Sequence, residues 1–456
     1  MINFRNYPNI TNVIIPNSIS LSSGDFSNAF NNMTNLISVN FNHPDITDMS
    51  STYYNCTNLT GSPVCSNGVT NMSYAYCRCV NLTGNPVCGN NVTNLAYTYR
   101  DCYGLTGAPV CGNNVTNLAS AYYNCSKLTG APLCGNNVIN MANTYYNCYG
   151  LTGTPVCGNK VTNMSSTYED CSKITGMPVC GNNVQIMFKT YYGCVSLTGS
   201  PVCGNKVTNM YSTYEGCRKL TGNPVCGNSV VNMMYAYKDC ENITGIPVCG
   251  NNVTNMYGAY INCHNLTGSP VCGDKITSLS YTYHGCYGLT GKPVCGNNVT
   301  NMASAYRNCD GLTGSPVCGE KVTDLAYAYC NCYGLTGKPV CGNNVKSLAY
   351  AYYDCDGLTG APVCGNNVTN LAYAYYNCSN LVGTMYCYNN NITNVKNCFW
   401  NKNNSKRIII YAYYNTKTWN ALTTQNANSL FGVSVSFASN SVCHYIAKRN
   451  IYIRRL

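Results

Sequence analysis

Apolar and polar positions recur along this chain with a period of 23 residues. In the stretch ending at Cys125, Leu118, Ala121, Tyr122 and Cys125 fall at offsets 0, 3, 4 and 7, the spacing of one face of a two-turn helix. In the other copies these slots hold Met or Leu, Ala or Thr, Tyr, and Cys. The slots between them scatter over Ser, Tyr, Lys, Glu, Arg, His and Ile, as a solvent face would. Asn117 precedes the stretch, and Asp, Asn or Ser fills that slot in every copy except the one with Ile186. Such residues cap a helix amino end through a side-chain oxygen. The pattern therefore predicts a short helix in each copy, with a frayed or distorted start at Ile186.

The cysteines keep the same beat. Cys56 to Cys378 advance in steps of 23, and so do Cys65 to Cys387, which accounts for 30 of the 34 cysteines. A fixed period of 20–50 residues marks stacked units, each too small to bury its own apolar face alone. The expected fold class is thus an α/β solenoid. Leu105, Val110, Asn113 and Val115 form a Leu-x-x-x-x-Val-x-x-Asn-x-Val string that resembles the leucine-rich repeat consensus. With its 23-residue length, its Tyr-x-x-Cys-x-x-Leu closure and strings such as Val69 to Ser73, the chain resembles the BspA-like (Treponema-type) bacterial surface-antigen subclass over about residues 10–400. The resemblance implies a right-handed leucine-rich-repeat coil, each unit a short parallel strand plus a short helix. It also implies that Leu105 and Val110 point inward from the strand, and that Asn113 joins an Asn ladder. Gly107-Ala108-Pro109 departs from it: Pro lacks the N–H a central ladder needs, so the strand shrinks to Val-Cys and a neighbour. With Val110 inward, Pro109 and Cys111 are expected to face out as a low-charge stripe, although Lys292 and Lys338, two before Val in their copies, would then point inward by alternation and count for the opposite facing.

The ends break the rule. Residues 1–50 read as degenerate amino-terminal units and a cap, 51–395 as the regular array, and 396–456 as a basic carboxyl-terminal cap. In that last segment Ile408–Tyr411, Val433–Phe437 and Ile451–Ile453 look like strands, and Thr418–Thr424 like a short helix. Net charge is +11, but nine basic and no acidic residues lie from Lys396 onward, so the remainder is nearly neutral. A nucleic-acid reader shows a basic stripe on its working surface; here nucleic acid is disfavoured as a partner. Only 9% of residues are charged and 45% are hydrophobic, which excludes a disordered chain. No apolar run approaches the ~18 residues that span a bilayer, and the amino end has no cationic segment followed by an apolar one. Membrane insertion and a secretory leader are not expected.

The helix-slot cysteines read as a buried ladder, and most thiols as free. Cys77-x-Cys79 and Cys330-x-Cys332 are close pairs, but no further ligands accompany them, and structural zinc needs four. No metal or cofactor is expected. His43, His264, His284 and His444 are scattered, and neither a phosphate loop nor a nucleophile elbow occurs, so an enzyme is not expected. The outward slots are rich in Tyr: Tyr74, Tyr97, Tyr235, Tyr281, Tyr327, Tyr350 and Tyr373 in one column, Tyr123, Tyr146, Tyr353 and Tyr376 in another. Tyr offers contact area and a hydrogen-bonding tip with little entropy loss. These residues are the candidate binding surface, although the same rings could simply lie over neighbouring coils. Two functions follow. One is a non-enzymatic recognition or adhesion protein, meeting a glycan or protein of a cell surface from an extracellular position or as a phage fibre or virion component. BspA-like proteins are typically surface adhesins, which is what the resemblance implies. The other is a structural protein that self-associates into a homo-oligomer through the Pro/Cys face.

Overall fold

Pro109 and the glycines that flank it cannot support a continuous β-ladder, and the chain solves the resulting hydrogen-bond problem in another way. The computed structural model describes residues 4–16, 18, 21, 23–40, 43–400, 408–425, 443–446 and 451–455. They divide into two units, Met1–Val230 and Val231–Leu456. Within each unit the 23-residue copies are successive coils, joined by backbone hydrogen bonds to the coil before and the coil after.

Two sets of contacts join the coils. The first is a column of parallel bridges at the Asn117 slot, from Asp25↔Asp48 to Ile186↔Asn209 in the first unit and from Ser278↔Asn301 to Asn370↔Asn394 in the second. Ile186 bridges both neighbours, so the expected frayed start does not occur: the backbone ladder holds that position without a capping side chain. The second set runs through the stretch read as a helix. Leu118, Ser120, Tyr122 and Asn124 donate their N–H groups to Asn140, Ala142, Thr144 and Tyr146 of the next coil at 2.8–2.9 Å, while Ala121, Tyr123 and Cys125 close turns onto the residue three before.

That stretch is a chain of turns, and among the described residues no repeat contains a helix. Ser120 and Asn124 have φ of 54° and 61°; this left-handed conformation interrupts a right-handed helix. The burial pattern read from the sequence nevertheless holds. Leu118, Ala121, Tyr122 and Cys125 are all fully buried, because turns with a left-handed residue every fourth position also return side chains to one side.

The strand expected around Val110 is likewise absent. Pro109 is buried, whereas Val110 and Cys111 are half-buried. The predicted outward Pro/Cys stripe is therefore not formed, and the self-association face built on it loses its basis. The cause lies across the coil. The hydroxyl of Tyr122 donates to the Val110 carbonyl at 2.6 Å and accepts from the Val110 N–H at 3.0 Å. One buried side chain thus satisfies both backbone groups that a β-neighbour would have taken, as buried polar groups require. The same pair recurs in most copies, for example Tyr168 on Val156 and Tyr329 on Val317.

The rings of these tyrosines form the spine of each core. Phe4, Phe30, Tyr53 and Tyr76 begin a stack that continues through Tyr191 and Tyr214, with centroids 4.7–5.6 Å apart. In the second unit the stack ends at Tyr375 on Phe399, 5.6 Å apart. The helix-slot cysteines lie beside the spine, buried as expected, and each donates its thiol backwards: Cys125 Sγ is 3.0 Å from the Tyr99 carbonyl. Where Thr replaces Ala121, its hydroxyl does similar work; Thr98 Oγ1 meets the carbonyls of Met72 and Leu95, both at 2.8 Å.

At the carboxyl end β3 (Gly383–Cys387), β4 (Ile408–Ala412) and β6 (Ile451–Arg455) run parallel, and β5 (Cys443–Ile446) pairs antiparallel with β6. Two short parallel strands, β1 (Asn12–Ile14) and β2 (Ser38–Asn40), lie near the amino end. The strands expected at Ile408 and Ile451 are present. The expected helix is a single turn, α1 (Lys417–Asn420), capped by Thr416 and continued by a π-helical turn to Gln425. Val433–Phe437 lies outside the described residues. No helix among the described residues is long and apolar enough to cross a membrane.

Candidate functional site

The tyrosines singled out in the sequence occupy two adjacent slots on the outside of the turn segment, those of Ser120 and Tyr123. In the second unit they come together. Tyr327, Tyr350 and Tyr373 stack with centroids 4.5 Å apart. Tyr353, Tyr376 and Trp400 form a parallel stack, also at 4.5 Å. The two columns meet obliquely at 5.7–6.4 Å. Cations sit at the column ends, Arg307 5.1 Å from the centre of the Tyr327 ring and Lys396 5.9 Å from that of Tyr373. In the first unit the cluster is smaller: Tyr74 stacks on Tyr97 and Tyr123 on Tyr146, at 4.5 and 4.4 Å, and Arg100 lies 4.5 Å from the centre of the Tyr123 ring. Tyr235 and Tyr281 each pack at an angle against Tyr257.

Stacking changes what this surface can offer. At these spacings the ring faces cover one another, so a column presents its edges and hydroxyls. Most of these rings are half-buried, and even Tyr74 and Tyr281 reach only 37% exposure. Burial, followed by the charges of Glu169 and Asp354, pushes the Tyr146 and Tyr353 hydroxyls up to about 12. They remain protonated donors throughout the physiological range.

The backbone under the first column is unusual. Tyr327, Tyr350 and Tyr373 have φ of 58°, 56° and 55°, and Tyr74, Tyr97, Tyr235 and Tyr281 share this conformation. Bulky residues are rare there and cost of order 1–3 kcal/mol each. The same slot holds Ser, Asn or Gly in other coils, for example Ser304, Asn143 and Gly258.

Several columns were not anticipated. Tyr103, Tyr149, Tyr287 and Tyr333 are 45–48% exposed, more than any tyrosine in the expected columns; the signal was Tyr directly after the periodic Cys. The Asn ladder expected at Asn113 falls on its neighbour: Asn114 Nδ2 donates to the Asn90 carbonyl at 3.0 Å, and Asn113 itself is exposed. A second ladder runs along the left-handed slot, with Asn124 Nδ2 on Asp101 at 2.8 Å and Asn147 Nδ2 on Asn124 at 3.0 Å. The Asn, Asp and Gly residues of that slot were its signal, since these types tolerate positive φ best.

The half-buried cysteines have a packing role. Cys180 Sγ lies 3.1 Å from where a Cβ on Gly204 would stand, and Cys88 Sγ 3.2 Å from that of Gly112. Each Cys-Gly pair thus lends its glycine space to the preceding coil's sulfur. Burial raises these thiols, Cys111 to about 11 and Cys134 to about 12, which weakens them as nucleophiles. The cysteines from Cys56 to Cys398 form no disulfide.

The BspA type Leucine rich repeat region, in six copies, matches residues 2–106 and 96–221. Solved structures with similarity include a leucine-rich repeat protein from Bacteroides ovatus ATCC 8483, 13% identical, TM-score 0.45, aligned over 88% of this chain and 87% of that one. A leucine rich cell surface protein from Faecalibacterium prausnitzii A2-165 is 17% identical, TM-score 0.37, over 72% and 86% respectively. No curated protein matches. The matched residues cover nearly the whole first unit, so residues 2–221 are a BspA type leucine rich repeat region, and their 23-residue period continues unbroken to Cys387 in the second unit.

Proposed function

We propose that this protein is a non-enzymatic recognition protein that binds a glycan or protein of a cell surface through its outward tyrosines. The contact surface is centred on Tyr327, Tyr350, Tyr373, Tyr353 and Tyr376. One observation carries the reading. Three consecutive coils keep Tyr in the left-handed slot, although Ser304 in the preceding coil adopts the same conformation at φ 55° with a residue better suited to it. Strain retained in a cluster points to a role for the side chains. Ring stacking returns about 0.5–1.5 kcal/mol per pair, enough to offset part of the strain. Hydroxyls in a row, with Arg307 and Lys396 at the ends, suit a partner rich in hydrogen-bonding groups. The wider role of BspA-type repeat proteins in adhesion and binding at surfaces supports the same reading.

The test is the triple variant Tyr327→Ser, Tyr350→Ser and Tyr373→Ser, with the full chain applied to whole cells. Ser fits the backbone, so thermal stability is retained while cell binding falls. Undiminished binding by a folded variant removes this surface from the proposal.

A further inference from the structure

A second surface, distinct from the tyrosines, carries its own chemistry. In the second unit a groove of about 590 Å³ is lined by Thr300, Thr323, Thr369, Asn344, Asn367, Lys321 and Lys346. These are the outward Thr and Asn slots of successive coils, with Lys substituted once in each. The hydrogen-bond balance of the groove follows from the contacts its residues already make. The hydroxyls of Thr300, Thr323 and Thr369 donate to the carbonyls of Thr277, Thr300 and Lys346 at 3.1–3.3 Å. The Nδ2 atoms of Asn344 and Asn367 donate to the carbonyls of Glu320 and Asn343, both at 2.8 Å. The Thr hydroxyl protons and one N–H of each Asn amide are spent on the coil below, so Thr Oγ1 and Asn Oδ1 are left as acceptors, with the second amide N–H of each Asn beside them.

The two lysines supply the opposite character. Lys321 reaches the Asn298 Oδ1 at 2.7 Å with one of its protons, leaving others for a ligand. Lys346, standing where neighbouring coils have Thr, makes no side-chain hydrogen bond or ion pair among the described residues. Neither Asp324 nor Glu320 is part of the lining. A row of acceptors repeated coil by coil, with ammonium groups on adjacent coils, complements a polymer that brings many hydroxyl donors and an occasional anion.

We propose that this groove binds a linear acidic polysaccharide, its hydroxyls donating to the Thr and Asn oxygens and its carboxylate or sulfate groups meeting Lys321 and Lys346. The site stands on its own residues and does not depend on the tyrosine surface. Nucleic acid matches less well, since the lining holds no aromatic ring for a base to stack on.

The experiment measures binding of the full-length chain to polygalacturonate and to dextran sulfate, with neutral dextran as control, at about 150 mM salt, where loose surface attraction is screened. Binding to one or both acidic polymers but not to dextran is expected, and which of them binds separates carboxylate from sulfate. The double variant Lys321→Ala/Lys346→Ala should weaken it about tenfold or more, equivalent to ~1.4 kcal/mol. Thr323→Val should also weaken it with the melting temperature kept. A second variant, Lys402→Ala/Lys406→Ala/Arg407→Ala, removes part of the basic carboxyl-terminal segment, and binding should change less than twofold. The proposal is overturned if that variant loses binding while the groove variant keeps it, if dextran binds equally, or if neither acidic polymer binds. The Tyr327→Ser/Tyr350→Ser/Tyr373→Ser variant should bind the polymers normally, which separates failure here from failure of the tyrosine surface.

Discussion

Replacing Tyr168 by Phe tests the central device of the fold. The ring is fully buried and stacked 5.6 Å from Tyr145 and 5.5 Å from Tyr191, so Phe keeps the spine and loses only an oxygen. That oxygen donates to the Val156 carbonyl at 2.7 Å and accepts from its N–H at 3.0 Å. Both backbone groups then lose their partner. A buried polar group left unpaired costs ~1–3 kcal/mol, and Val156 is only half-buried, so water can restore part of the loss. A net destabilisation of about 2–3 kcal/mol is expected. Urea unfolding measures it, and amide hydrogen exchange locates it, because stacked repeats respond mainly through their nearest neighbours. Exchange should quicken at Val156 far more than at Val110, two coils earlier. A loss below about 0.5 kcal/mol with unchanged Val156 exchange would refute the idea that this hydroxyl stands in for a β-neighbour. At the stack ends Phe4, Phe30 and Phe399 continue the rings without a hydroxyl.

Three further outcomes follow from the same contacts. Gly204→Ala should cost about 1–3 kcal/mol by overpacking, since its Cβ would meet the Cys180 sulfur and the Gly181 carbonyl at 3.1 and 3.3 Å. Adding Cys180→Ala should return part of this in a double-mutant cycle, and strict additivity would count against the sulfur contact. Raised thiols make the fold sensitive to alkali. Below the ordinary thiol range both folded and unfolded chains are protonated, but as pH climbs from about 8.5 toward the folded values of about 11 for Cys111 and about 12 for Cys134, only the unfolded chain ionises, so stability falls. Melting temperatures that stay level to pH 10.5 would contradict this burial of the thiols. Thiol counting in denaturant without reductant should return most cysteines free; more than half oxidised in fresh protein would point to pairing between coils.

Much of this protein can be read from its chain alone. The 23-residue period establishes stacked coils, and the 0, 3, 4, 7 spacing correctly names Leu118, Ala121, Tyr122 and Cys125 as core, because burial on one side is a property of the repeating pattern whatever backbone carries it. The type of backbone could not be read from that pattern. Turns with left-handed residues at Ser120 and Asn124 return side chains with nearly the same spacing as a helix, and only the Asn, Asp and Gly residues of the Asn124 slot hinted at the difference. Pro109 forecast a broken strand, but not which way Pro and Cys would face. That was decided by the Tyr122 hydroxyl arriving from across the coil to hold both polar groups of Val110. The candidate surfaces divide in the same manner. A column of tyrosines is visible in the sequence, whereas ring faces hidden by stacking and a groove of unspent acceptors between Thr and Asn exist only once adjacent coils are packed, since each depends on which hydrogen bonds the neighbouring coil has already taken.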